Sequence, residues 1–587
     1  MSQACVKRSR YRLCTVLLLA GFAMICGRLY FLQVLDAENI SSEVESSRKI
    51  LVKLEPRRGD ILDRNGNLLA GTRSRIKLGV DPQVVDTSDV DKLARLAGIL
   101  DMPFPELMEK CNRKERIDSA GERRTVQWVP LAEIDEDLYD LIRRIDIDGV
   151  RGDRFYERYY PGDQMASQVI GFINKEKTPV MGVELALDYY LRGQAGWRET
   201  EVDGRRRELA AFREREVESR NGLHVQLTLD LFVQSVIEAA MEDMVGELHP
   251  AGASIIVSDP HTGEILGLAN YPTFNPNHFW DFPLENQRNR ALTDQYEPGS
   301  TFKIVPVAAG LEEGVIQPDT IINCGAAEVF YHGVNIRMPN DHRNLGPVPV
   351  TTVVTKSSNR GAAQIGMLLG EQRMYEYARR FGFGQDVGWP LAGEISGTLA
   401  PVEKWDGLTI SRLPTGYAVG TTAMQVHQAM ATIANDGVRL RPKLLKEVID
   451  PESQVELPLE PEKGQRVVSV HTARLLREML MSVVSPEGTA SRAALPGYGV
   501  AGKTGTSRKI IDGQYSHNHH VGSFSGFFPA NKPEVVITVV VDDAQVPGPA
   551  YGGLVAAPVF RSIGEKLIPH MAIRKPEKWE PFVVSND

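Results

Sequence analysis

The chain opens on a long apolar run. Lys7, Arg8, Arg10 and Arg12 precede an uncharged stretch from Leu13 to Gly27, and beyond Arg28 the apolar character resumes to Leu35. With Arg28 able to snorkel, the stretch reaches the roughly 20 residues that a bilayer requires. "AMICGRLYFLQ" offers no small-x-small cleavage site, so the pattern predicts an uncleaved anchor over residues 13–35 rather than a signal peptide. The basic residues put the 1–12 tail in the cytoplasm and everything after Asp36 on the outer side. Next, "RKILVKLEPRRGDILDRNGNLLA" alternates apolar and polar positions around Asn65-Gly66, predicting strands joined by a turn. Apolar residues recur at helical spacing from Asp89 to Cys111 and from Leu131 to Ile147, predicting small packed helices. "GVELALDYYLRGQAGWRETEVDGRRREL" predicts a helix, a Gly-broken turn and a solvated loop at Arg205 to Arg207.

The pattern changes near Asn221. "GLHVQLTLDLFVQSVIEAAMEDMV" predicts a strand and a helix, and "GASIIVSDP" turns through "HTG" into "EILGLAN" as a hairpin. Late strands are predicted in "GSFSGFF" and in the β-branched "EVVITVVVDD". The whole reads as an α/β (α+β) multidomain chain: a mainly β segment over 36–220, a larger domain over 221–570 and a short tail over 571–587.

Composition narrows the function. At 587 residues the chain is long enough for about three or four domains. Charged residues make up 24% with both signs mixed, the net charge is -9 and the pI is near 5.9, which excludes a nucleic-acid binder with a clustered basic face. Three of the five cysteines (Cys5, Cys14, Cys26) sit at the N-terminus, leaving Cys111 and Cys324, so no disulfide framework is expected. "HNHH" (His517, His519, His520) has no carboxylate or cysteine at ligand spacing, reads as a solvated loop, and predicts no metal. The Arg58-Gly59-Asp60 triplet recurs by chance, and nothing beside it supports adhesion.

The chemistry lies in "YEPGSTFK". "STFKIVPVAAGLEE" reads as an apolar helix beginning at Ser300, kinked by Pro306, and Ser300 and Lys303 share a face at i and i+3. Exposed N–H groups at a helix start favour an oxyanion. A neutral lysine amine can take the serine proton if burial or another cation depresses its pKa. Alone, the pair is no more than a serine N-cap. "TKSSNRGAA" adds Ser357 and Asn359, and "VAGKTGTS" adds Lys503, Thr504, Gly505 and Thr506. Ser357 can pass a proton between Lys303 and a leaving amine, Asn359 can hold a substrate amide, and the Lys503 charge helps keep Lys303 neutral and attracts a carboxylate. Thr504 and Thr506 can bond that carboxylate, Gly505 admits the ligand to a strand edge, and the N–H groups of Ser300 and Thr506 form an oxyanion pair. The reaction class is acyl transfer.

Ser-x-x-Lys, Ser-Asp-Asn and Lys-Thr-Gly in that order mark β-lactamases and penicillin-binding proteins, and the sequence resembles the class B penicillin-binding proteins. "RRGDILDRNGNLLA", "RYYPGDQMASQVIGF", "GVELALDYYLRG", "SDPHTGEILGLANYPTFNPN", "GYAVGTTAMQ", "IANDGV", "SFSGFFPA" and "GGLVAAPVF" carry the likeness over roughly residues 50 to 565. It implies a pedestal and a transpeptidase domain with a central antiparallel sheet flanked by helices. It also implies peptidoglycan stem peptides from lipid II-derived strands as substrate, β-lactams as inhibitors and no cofactor. No glycosyltransferase domain fits before residue 221, so a polymerising membrane partner and divisome proteins are implied. "SSN" and the lack of appended repeats resemble the septal more than the elongation-specific enzymes. Ala418 in "GYAVG" and the late Pro306 depart from the family pattern. The competing readings are a D,D-carboxypeptidase or β-lactamase with water as acceptor, against which the long pedestal argues, and a β-lactam sensor or silent scaffold. A sensor is expected to carry several spans, and a silent scaffold to have lost Ser300 or Lys503.

Overall fold

The structure, a computed structural model, describes residues 2–39, 49–117, 121–202, 208–209, 215–453, 456–457 and 463–575. The loop expected at Arg205 to Arg207 lies outside these residues. The chain separates into two compact units, residues 1–57 with 192–222, and residues 58–191 with 223–587.

The first unit contains the helix Ser2–Tyr30, continued by a π-turn over Phe31–Leu35. Arg10–Leu35 is a 26-residue span long and apolar enough to cross a membrane, and its side chains are exposed. The same unit holds a small antiparallel sheet in which Gly196–Val202 pairs with Lys49–Leu54 on one side and Arg215–Val217 on the other.

In the second unit the long strand Leu68–Val80 pairs antiparallel with Ile61–Leu62, Val129–Asp135 and Val150–Tyr159. The Asn65-Gly66 turn is where the alternation puts it, with Gly66 at φ +86. Two helices, Val90–Ile99 and Phe104–Asn112, fill the first predicted helical stretch. The second departs from expectation: Val129–Asp135 is a strand and only Glu136–Arg143 is helical. Pairing with Leu68–Val80 buries Val129, Leu131 and Ile134, so the sheet partner overrides the helical spacing. The Arg-Gly-Asp triplet is structural. Arg58 and Arg158 hold the fully buried Glu184 at 2.7 and 2.6 Å. Arg158 also donates to the Gly59 carbonyl.

The larger α/β part begins at helix α1 (Leu231–Leu248), whose N-cap Asp230 accepts the N–H groups of Phe232 and Val233. Five strands follow the chain as β1 (Gly252–Ser258), β2 (Ile265–Tyr271), β3 (Ala501–Ile511), β4 (Gln514–Phe528) and β5 (Val535–Asp542). They form one antiparallel sheet in the order β2-β1-β5-β4-β3, with β3 at the edge. The strands predicted in "GASIIVSDP", "EILGLAN", "GSFSGFF" and "EVVITVVVDD" lie in this sheet, whereas the predicted strand His224–Leu227 pairs instead with Ile61–Leu62 and Leu445–Ile449. Its β-branched run is buried along β5 because helices cover both faces. Ile255, Val539 and Phe524 join α1 and Phe560 of the C-terminal helix Ala557–His570, while Ile256 and Val540 join Met424 of the helix Ala423–Ala434. The three histidines of "HNHH" are strand residues of β4: His519 pairs with Asp543 and His520 is buried. Pairing with β3 extends the strand through a segment whose polarity reads as a loop. Among the described residues no group of three His, Cys, Asp or Glu could hold a metal.

Candidate active site

The serine turn is a 3-10 helix over Gly299–Lys303, and the α-helix α2 begins only at Ile304 and runs to Glu312. This corrects the expected single helix. Pro306 falls in the first turn of α2, where an N–H has no intrahelical acceptor, so it produces no kink. In a 3-10 helix side chains three apart eclipse, which keeps Ser300 and Lys303 on one face.

The turn is pressed against the edge strand β3 by glycines. Gly299 has φ +53, and a Cβ there would stand 2.7 Å from the Thr506 carbonyl oxygen and 3.3 Å from its nitrogen. A Cβ on Gly505 would stand 2.4 Å from Ser523 Oγ and 2.7 Å from the Pro298 oxygen. The backbones carrying the two expected oxyanion donors, Ser300 and Thr506, are therefore brought together.

Four of the expected side chains form one cluster. Lys303 Nζ donates to the Ser357 carbonyl at 2.5 Å, to Asn359 Oδ1 at 2.7 Å and to Ser357 Oγ at 3.3 Å. Lys503 Nζ donates to the same Ser357 Oγ at 2.8 Å. Ser357 thus bridges two lysines, each almost fully buried. Burial lowers Lys303 to about 7, opposed by the charge of Asp341. Burial likewise pushes Lys503 well below the usual lysine range, and the charge of Lys303 lowers it further. Desolvation, rather than the cation assigned that task from sequence, is the main cause at Lys303. Among the described residues the half-buried Ser300 hydroxyl has no hydrogen-bond partner.

Strand alternation sends Lys503 and Gly505 to one face of β3 and Thr504 and Thr506 to the other. The latter pair are already bonded: Thr504 Oγ1 lies 2.9 Å from Thr489 Oγ1, and Thr506 Oγ1 accepts the Gly552 N–H at 3.1 Å. A cavity of about 640 Å³ opens beside the turn, lined among others by Tyr296, Glu297, Ala418, Ser507 and Arg508. Glu297 Oε1 accepts the Ala418 N–H and the Tyr515 hydroxyl, each at 3.1 Å, and burial pushes its carboxyl up. Sequence reading missed Glu297, although it adjoins Pro298-Gly299-Ser300. It also missed Asp341, which carries no motif spacing that could have singled it out.

Comparison with known proteins agrees with this architecture. Residues 53–227 match the penicillin-binding protein dimerisation domain and residues 253–565 the penicillin binding protein transpeptidase domain. Stage V sporulation protein D of Bacillus subtilis is 32% identical, covering 97% of this chain and 87% of that protein. Peptidoglycan D,D-transpeptidase FtsI of Escherichia coli is 30% identical, covering 94% of this chain and 90% of that protein. The crystal structure of penicillin binding protein 3 from Mycobacterium tuberculosis, complexed with aztreonam, superimposes with a TM-score of 0.67 at 27% identity, covering 89% of this chain and 98% of that one. A chain matched in both of these domains, and at 32% identity over 97% of its length, belongs to the class B penicillin-binding proteins.

Proposed function

We propose that the chain is a membrane-anchored peptidoglycan D,D-transpeptidase that crosslinks stem peptides through an acyl-enzyme on Ser300. The observation that carries the reading is the pair of buried lysines sharing Ser357 Oγ, one turn from an unbonded serine hydroxyl. Lys303, at about 7, is substantially a free amine near neutrality and accepts the Ser300 proton as Ser300 Oγ attacks the penultimate D-Ala carbonyl. The N–H groups of Ser300 and Thr506 receive the oxyanion. The proton passes through Ser357 Oγ to the departing D-Ala nitrogen, and the C–N bond breaks. The second half reverses these steps: an amine of a neighbouring stem peptide attacks the ester, gives up its proton and frees Ser300.

The substrate carboxylate is drawn by the charge of Lys503 to the edge of β3 and bonds Thr504 and Thr506 on the other face of the strand, in exchange for their bonds to Thr489 and Gly552. Its charge favours protonated Lys503, and a second cation on the shared Ser357 Oγ then keeps Lys303 neutral. Substrate binding thereby supplies what burial starts. Asn359 commits Oδ1 to Lys303 and one Nδ2 hydrogen to the Asn340 carbonyl, leaving the other for a substrate amide. A β-lactam acylates Ser300 by the same attack, but its leaving nitrogen stays tethered, so the acceptor step is blocked.

The matched ranges support a pedestal over 36–220 and a transpeptidase domain over 221–570. The basic residues before the apolar span support a single pass in the cytoplasmic membrane, with the tail cytoplasmic and the catalytic domain outside. The septal role, with a glycan polymerase and divisome proteins as partners through anchor and pedestal, is supported by Ser357-Ser358-Asn359 and by the FtsI relative.

Acylation by a labelled penicillin, followed by intact mass and peptide mapping, tests the chemistry. Wild type gains one adduct on the peptide holding Ser300, and Ser300→Ala gains none; label persisting in that variant would sink the assignment. Depletion in the native cell is expected to give filaments, whereas rounded cells would transfer the protein to elongation.

A further inference from the structure

The turn that holds Ser357 is shaped by a residue outside every motif. Ser357 has φ +59, a left-handed conformation that serine keeps only when its surroundings hold it. The next three residues are gripped by one carboxylate. Asp341 Oδ1 accepts the N–H of Asn359 and, at 3.3 Å, that of Arg360, while Oδ2 accepts the Ser358 hydroxyl at 2.5 Å. These donors open the helix α3 (Asn359–Leu369), whose N-cap Ser358 also accepts the Gly361 N–H. The neighbouring Asn340 carbonyl takes Asn359 Nδ2 at 2.8 Å, which turns Asn359 Oδ1 toward Lys303.

We propose that Asp341 is the positioning residue of this active site: it fixes the Ser357-Ser358-Asn359 turn against Lys303 and supplies the negative charge set against that lysine. The inference rests on the transpeptidase reading, since it gives Asp341 its effect through Lys303. The charged and titratable groups facing Lys303 come from several elements. Lys503 on β3 shares its sign, and burial pushes up the thiol of Cys324, which also lies against it, so the thiol carries no charge near neutrality. Asp341 is the one carboxylate among the described residues whose charge acts on Lys303, and it acts against desolvation. Without it, burial lowers the lysine further and leaves a weaker base.

Asp341→Asn keeps an oxygen for the two N–H donors and removes the charge. The test is the second-order rate of acylation of the full-length protein by a fluorescent penicillin, measured from about pH 5 to 9. In the wild type the rate rises with pH through the Lys303 value of about 7 as the amine loses its proton. In Asp341→Asn that rise moves to lower pH by about 1 unit, because an opposite charge that favoured the protonated lysine is gone. Asp341→Glu, which keeps the charge, reaches a lower plateau with the rise where the wild type has it. A uniformly lower rate with an unmoved rise in Asp341→Asn, or an equal displacement in both variants, overturns the proposal. A wild type that labels elsewhere than Ser300 overturns the transpeptidase reading instead.

Discussion

Ala418 has φ +61, and its N–H donates to Glu297, two residues before Gly299. This is the position at which the sequence departs from the family's glycine. The left-handed conformation costs a non-glycine residue about 1–2 kcal/mol, while a glycine there costs about 0.4–1 kcal/mol through the unfolded chain. Ala418→Gly is therefore expected to stabilise the protein by up to about 1 kcal/mol without changing penicillin acylation. Thermal melting checks it, and a lowered midpoint would contradict the strain. The lysines make a related point at the same scale. Their positions are legible in Ser-x-x-Lys and Lys-Thr-Gly, but the main reason Lys303 is depressed is its burial, which no spacing encodes.

At the level of elements, the site depends on how the 3-10 turn seats on the edge strand. Gly299 and Gly505 allow backbone to approach backbone, since a Cβ at either would overlap the partner. Gly505→Ala drives its methyl into Ser523 Oγ and the Pro298 oxygen. We expect a loss of about 1–3 kcal/mol of stability from overpacking and, on the proposed mechanism, about 100-fold slower acylation, because Pro298 carries the Ser300 turn with it. Stopped-flow labelling with a parallel melt measures both, and undisturbed acylation would refute this account of the glycine. Elements whose type follows from local pattern were legible: the buried β-branched β5, the Asp230-capped α1, the hairpin β1–β2. Val129–Asp135 and the histidine-bearing part of β4 were not, since each is a strand only because a neighbour pairs with it.

For the whole molecule, the sequence by itself determined which reactive groups exist and in what order. It also determined an apolar span over residues 13–35, which falls within the helical span Arg10–Leu35, and the sheet-and-helix class of the larger part. These follow from residue chemistry and short-range periodicity, which a chain carries wherever it folds. Tertiary structure alone decided that Lys303, Ser357, Asn359 and Lys503 share one hydrogen-bonded cluster. It also decided that the serine turn meets the Thr506 backbone through a glycine, and that Asp341 is the carboxylate set against Lys303. Desolvation and charge act through space between groups far apart along the chain, and only the packed fold sets those distances.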